Sequence, residues 1–505
     1  MTSLTDLPAE TLVAIFNFLR PRQEPYDIHM RKPSINTRET SVRDEIQEQD
    51  TYLINLCRTC KLFRYVARPI AFQSIFNYNY MNWGRTLSGF LHRIGSFTRT
   101  LSERPDLAAS VRFLDIHMLD RFEDDEKLPS TATDEQKLAI ARLACRVGLE
   151  INMTEDWLEW DIVEAYFQIL MILLPNLSQA NICLPGSWKL ESLSAWVTRT
   201  SSGVATATAR PFLANVRHME LDHRVADLNA RYERADYETL DDDEIEHISS
   251  AVERLFVDAA PNLELLCCSA GGLDGLPRLE KLDTLQIMMK GSWDGMLPKV
   301  MKGFPRLKRF SYKSTTDYCP SPKQVREALE GHKHTLEYLD MSLQRCIWWP
   351  SWRPKSQRDY EAFSFTNFTS LKTLNLDASD VWPETLHDGR GEKQSDSGLL
   401  PALLPASLVE IHVDGFLSHG DESFKSLAEA MASRRLPNLT GVFWCAGTRM
   451  QIIDQETAKG VHDPDTRWRK DVLVRFRDQS ELAFPAWMEA YEEALSRERI
   501  WGGSK

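Results

Sequence analysis

No stretch of this 505-residue chain stays apolar long enough to cross a bilayer. The longest apolar run is Ile169-Leu170-Met171-Ile172-Leu173-Leu174, preceded by Ala165-Tyr166-Phe167-Gln168; a membrane helix needs roughly 20 such residues. The run reads as a buried helix stopped by Pro175. Charged and polar residues interrupt positions 1–20, so no signal peptide is expected. Positive charge is in deficit: 60 Lys and Arg stand against 73 Asp and Glu, a net of −13. That disfavours a general nucleic-acid or anionic-membrane surface. The nine cysteines are odd in number and irregularly spaced, which points to reduced thiols of the cytosol or nucleus rather than a disulfide framework.

Catalytic motifs are missing too. The chain has no Gly-x-Gly-x-x-Gly, no phosphate loop and no Gly-x-Ser-x-Gly elbow. Gly271-Gly272-Leu273-Asp274-Gly275 lacks the lysine and following hydroxyl of a nucleotide loop. His462-Asp463-Pro464-Asp465 offers possible ligands, but their tight spacing around Pro464 reads as a turn. Cys57-x-x-Cys60 has no second pair at ligand spacing, and both thiols lie on an apolar stripe. No enzyme activity, metal or cofactor is expected. Apolar content of 43% and charged content of 26% are ordinary for a globular protein, and the length suits several domains or one repeat array.

What is present begins at the N-terminus. Leu12, Ile15, Phe16 and Leu19 fall at i, i+3, i+4 and i+7, the stripe of an amphipathic helix. Pro8 suits its first turn, Asp6 and Glu10 sit at the positive end of its dipole, and Pro21 stops it. Val13 and Phe18 lie off the stripe. A second piece repeats the pattern with Leu53, Leu56, Cys57 and Cys60, then Phe63, Val66 and Ala67, and Arg68-Pro69 is expected to end it. Such a segment holds more apolar side chains than its own helices can shelter. Either the rest of the chain covers them or a partner does.

Leu7-Pro8-Ala9-Glu10 with the first stripe resembles the opening of an F-box. Leu56-Cys57-Arg58-Thr59-Cys60-Lys61-Leu62-Phe63-Arg64 resembles its second half, and Arg68-Pro69-Ile70-Ala71-Phe72 its exit. The match spans about 45 of 505 residues, and a polar insertion at 21–50 replaces the family's short turn. The resemblance implies a three-helix module over 1–76 that docks on a Skp-type adaptor and, through it, on a cullin ubiquitin ligase. Leu7, Pro8, Leu12, Ile15, Leu19, Leu56, Cys57 and Phe63 would hold the module together and meet the adaptor.

The body, 77–450, carries a degenerate unit with apolar residues at i, i+3 and i+5. Its clearest copy is Leu371/Leu374/Leu376. It recurs as Leu282/Leu285/Ile287, Leu307/Phe310/Tyr312, Leu336/Leu339/Met341, Leu408/Ile411/Val413 and Leu439/Val442/Trp444. Weaker copies are Val111/Leu114/Ile116, Leu177/Ala180/Ile182, Val216/Met219/Leu221 and Leu263/Leu266/Cys268. The last two positions of each unit have strand period. Five copies follow Pro-x-Leu, as at Pro175-Asn176-Leu177, and helical stretches such as Ile248 to Ala259, Val325 to Leu329 and Phe424 to Met431 lie upstream of several units. The grammar is helix, proline turn, short strand.

This pattern resembles irregular leucine-rich repeats with a parallel sheet on the concave side. From Leu282 the leading positions are 25, 29, 35, 37 and 31 residues apart, against about 20–29 for the family, so several units carry inserts. An ordinary α/β domain with Leu-rich strands remains the plainer alternative. Residues 120–138, 231–247 and 383–398 read as excursions. Trp348, Trp349, Trp352 and Arg353 share a proline-bound loop; they are either a hot spot for a target protein or plugs between uneven repeats. Residues 451–505 read as a cap: Val472, Val474 and Phe476 alternate like an edge strand, and Phe484 to Arg497 is an amphipathic helix.

The expected fold is thus α/β, a three-helix F-box followed by an irregular solenoid. The expected role is the substrate-recognition subunit of a Skp–cullin–F-box ubiquitin ligase that acts by positioning a target protein, with no nucleic-acid or membrane partner. The alternative is a repeat scaffold whose N-terminal helices only cap the array.

Overall fold

The computed structural model describes residues 7–18, 52–76, 87–117, 131–185, 188, 190–201, 212–224, 242–269, 278–289, 297–314, 322–342, 364–377, 399–414, 426–427, 429–431, 433–445 and 473–477. Leu19, the 21–50 insertion, the loop bearing Trp348, Trp349, Trp352 and Arg353, and the helix expected over 484–497 lie outside them. The protein is a mixed α/β chain with parallel strands. It divides into two compact units, Met1–Gly291 with Lys302–Arg306, and Ser292–Met301 with Leu307–Lys505. Among the described residues no helix is long and apolar enough to cross a membrane.

The first unit opens with α1 (Ala9–Phe18), α2 (residues 52–59) and α3 (Lys61–Ala71). The second apolar piece is therefore two helices. Cys60 breaks it: its backbone is extended, and its Sγ accepts from the Phe63 N–H at 3.4 Å, so Cys60 caps α3. The expected stop at Arg68-Pro69 is overrun. Pro69 lies inside α3, and the Phe72 N–H still reaches the Arg68 carbonyl at 3.1 Å. An internal proline costs about 3 kcal/mol; burying Val66, Ala67 and Ile70 on one face offsets this at about 1.5–3 kcal/mol for each large side chain.

Only Phe72 and Gln73 separate α3 from β1 (Ser74–Phe76), a strand the apolar pattern did not mark. β1 pairs parallel with β2 (Phe113–His117), followed in order by β3 (Gln179–Pro185), β4 (His218–Arg224), β5 (Leu265–Ser269) and β6 (Thr284–Met289). The helices α4 (Leu87–Glu103), α5 (Pro105–Ala108), α6 (Asp134–Val147), α7 (Glu159–Leu173), α8 (Glu191–Ser201) and Asp242–Ala259 connect them. The acidic stretch 120–138 thus ends in helix, because Thr133 and Gln136 form a reciprocal cap that starts α6. The run at 169–174 closes the buried helix α7, which ends before Pro175.

The second unit repeats the plan with β7 (Arg309–Ser314), β8 (Tyr338–Ser342), β9 (Thr373–Asp377), β10 (Glu410–Asp414), β11 (Gly441–Cys445) and β12 (Leu473–Arg477), again parallel and in order. Its helices include Leu297–Met301, Pro322–Leu329 and Leu399–Leu403.

The register aligns the sequence units position for position. Leu114, Ala180, Met219, Leu266 and Leu285 face one another across β2–β6. Phe310, Leu339, Leu374, Ile411 and Val442 do so across β7–β11. All ten are buried. A slip of one residue would turn every one of them to the opposite face, so burial specifies the register.

The turns before the strands carry a ladder of their own. The residue before the leading apolar position donates to a backbone carbonyl of the preceding turn: Asn176 to Ala109 at 2.9 Å, Asn215 to Pro175 at 2.9 Å and Asn262 to Ala214 at 2.7 Å. In the second unit Ser370 reaches His334 at 2.7 Å and Asn438 reaches Ala406 at 3.0 Å. The middle residue of Pro-Asn-Leu is therefore structural.

Candidate docking surfaces

The three N-terminal helices share one small core of Leu12, Phe16, Leu53, Val66, Ala67 and Ile70. Leu7, Leu56, Cys57, Leu62, Phe63 and Ala71 pack against it while partly exposed. Phe16 and Phe63 meet edge to face, with ring centroids 5.4 Å apart. Arg64 Nε donates to the Cys57 carbonyl at 3.0 Å, tying α2 to α3.

Five of the seven large apolar side chains that the described residues leave in solvent are on these helices: Val13, Ile15, Tyr52, Ile54 and Tyr65. The helical period explains the placement. At about 100° per residue, Val13 and Ile15 flank the buried pair Leu12 and Phe16 on either side, and Tyr52 and Ile54 flank Leu53 in the same way. α1 and α2 are apolar over a wider arc than the module's core can cover. Tyr65 is 79% exposed, the extreme case.

The residues expected to meet an adaptor divide accordingly. Leu12 is core. Leu7, Leu56, Cys57 and Phe63 are half-buried, and Pro8 and Ile15 are exposed. Tyr52, Ile54 and Tyr65 were not singled out from the sequence; the signal was there in apolar residues next to, rather than on, the second stripe. Burial pushes the Cys57 thiol upward, against the pull of Arg68 and Arg64, so it stays a protonated packing group. Among the described residues no cluster of three or more His, Cys, Asp or Glu side chains is placed to hold a metal ion.

A second surface is the sheet face opposite the buried i+3 and i+5 positions. The two units differ here. In the first, Phe113, Asp115, Asn181, Cys183, Cys267, Thr284 and Gln286 on that face are buried, while Gln179, His218, Glu220 and Leu265 are half-exposed, so the face is mostly closed. In the second, Tyr338, Asp340, Thr373, Asn375, Glu410, His412 and Phe443 remain half-exposed.

Those residues form a connected surface. Ser311 donates to Asp340 at 3.0 Å, and Asn375 Nδ2 to the Tyr338 hydroxyl at 2.8 Å. His412 stacks on Phe443 at 4.4 Å, and its Nε2 lies 3.8 Å from the Glu410 carboxylate. Gly441 makes this stack possible: a Cβ there would come within 2.8 Å of the Phe443 ring and 3.1 Å of Glu410 Cγ. Comparison with family models and with curated proteins finds no match for the chain. The geometry of the two surfaces is what a functional reading has to explain.

Proposed function

We propose that this protein is the substrate-recognition subunit of a Skp–cullin–F-box ubiquitin ligase, its N-terminal helices docking the adaptor and its repeats holding a target protein. One observation carries the reading. A three-helix module with a complete small core still leaves Val13, Ile15, Tyr52, Ile54 and Tyr65 in solvent. Burying a wholly exposed apolar side chain contributes about 1.5–3 kcal/mol; four of these are 36–47% exposed and Tyr65 79%, so a partner has to cover the group together to offset the entropy of association. The open sheet face of β8–β11, with its aromatic, amide and carboxylate groups, is the surface on which we place the target. No catalytic residue is needed on this chain, since holding a target near a charged enzyme raises its effective concentration.

The test separates docking from folding. Ile15→Asp with Ile54→Asp changes two exposed positions, so helix content and thermal midpoint should hold while co-purification with a Skp-type adaptor is lost. Unchanged adaptor recovery would refute the proposal.

The scaffold alternative has its own support. α3 runs into β1, the first strand of its sheet, as a capping element would. A cap, however, needs a polar outer face, and α1 and α2 leave Val13, Ile15, Tyr52 and Ile54 in solvent beside their polar residues. A chain beginning at Gln73, which keeps β1, distinguishes the two: it stays folded without binding adaptor if the helices are a docking module, and aggregates if they are a cap.

A further inference from the structure

The far side of α3 differs in chemistry from everything around it. Phe63, Val66, Ala67 and Ile70 turn inward at i, i+3, i+4 and i+7. Lys61, Arg64, Tyr65 and Arg68 repeat that spacing on the opposite side of the helix, which the inward stripe prevents from turning away. Arg58, at the end of α2, adds a fifth member. Residues 52–76 contain these four cations and no carboxylate, in a chain whose net charge is −13. Among the described residues none of the four has an acidic partner within ion-pair distance. Two are already held: Arg64 by the Cys57 carbonyl at 3.0 Å, and Arg68 with its guanidinium 5.9 Å from the centre of the Phe72 ring. Tyr65 stands between them, 79% exposed.

We infer that this stripe is the electrostatic half of the docking surface and that it receives an acidic protein face, with Tyr65 as the apolar anchor. The inference rests on the adaptor reading above and adds the charge of the partner. An acidic chain repels an acidic partner at long range, but at physiological salt the Debye length is only about 8 Å, so the local stripe governs the encounter. Cations fixed before binding lose little freedom on binding. Charge of this kind acts mainly on association rate, and a buried aromatic mainly on dissociation.

The experiment uses the full chain and a purified Skp-type adaptor, with rates measured as NaCl rises from about 0.05 M to about 0.5 M. The wild-type association rate should fall about tenfold or more over that range. Arg58→Glu with Lys61→Glu, both exposed, should lower it about tenfold at low salt with dissociation within about twofold of wild type. Tyr65→Ala should speed dissociation instead. If the reversal pair unfolds, Arg58→Gln with Lys61→Gln takes its place, with a smaller effect of the same sign. Adaptor binding that ignores both salt and the substitutions overturns this inference and leaves the proposed function standing. A wild-type chain that does not bind adaptor overturns both. Binding of a labelled DNA duplex that the reversal pair abolishes would assign the stripe to nucleic acid and overturn it as well.

Discussion

Asn262 donates from Nδ2 to the carbonyl of Ala214 at 2.7 Å, across 48 residues of sequence. Its Oδ1 in turn accepts from Lys281 Nζ at 2.6 Å, so one side chain joins three successive turns. Asn262→Ala leaves a carbonyl without its donor and should cost about 1–2 kcal/mol. Asn262→Asp should cost more, because it sets a carboxylate oxygen against that carbonyl. Urea unfolding midpoints of the three proteins check the order.

Phe63→Ala removes the ring that meets Phe16 at 5.4 Å between α1 and α3. A large-to-small change at an aromatic site costs about 3–5 kcal/mol when fully buried; Phe63 is half-buried, so the lower end is expected. The loss should appear locally, as faster hydrogen exchange at the Leu12 amide, whose bond to the Pro8 carbonyl is 3.1 Å. The sheet amides should keep their protection.

Gly95→Ala pits two effects against each other. Alanine gains about 1 kcal/mol of helix propensity over glycine. The new Cβ, however, would lie 2.8 Å from the Tyr166 ring and hydroxyl across the α4–α7 contact, and overpacking of this kind costs about 1–3 kcal/mol. Net destabilisation is expected, partly relieved by adding Tyr166→Phe, as thermal unfolding will show.

His332 is buried, and its Nε2 donates to the Met301 carbonyl at 3.0 Å. Burial pulls its pKa below the ordinary value, with the Met301 bond opposing more weakly. The unfolded chain therefore takes up a proton first on acidification. The stability this group contributes is present above about pH 6.5 and is lost as pH falls through the lower folded value. Denaturant midpoints at about pH 7.5 and about pH 5.5 should differ less in His332→Gln than in the wild type, because glutamine does not titrate there.

The strands were legible because their signal is redundant. Leu374 and Leu376 must share one buried face, and the same constraint acts on every neighbouring strand, so ten short triplets predict both the strands and their alignment. β1 escaped because Ser74-Ile75-Phe76 is three residues long and has no leading leucine. The end of α3 was misread because proline's local penalty is visible in sequence, whereas the burial of Ile70 that outweighs it is tertiary. Both N-terminal apolar pieces are helical as expected, but the stripe rule favours residues that face inward. It marked Leu12, which is core, and passed over Ile54 and Tyr65, which face water. The stack of His412 on Phe443 had no sequence signal, since it depends on the space above Gly441.

Between Ala71 and Ser74 the chain has two residues, and neither is loose. Phe72 stacks on Phe97 at 6.0 Å, and the Gln73 carbonyl accepts from the amides of both Arg112 and Phe113. A body clamped onto α1–α3 consequently has no swivel beneath it. Its heading relative to β1 and β2 would follow from this short, doubly anchored joint, and on the proposed function any reach toward a client would have to come from elsewhere in the chain.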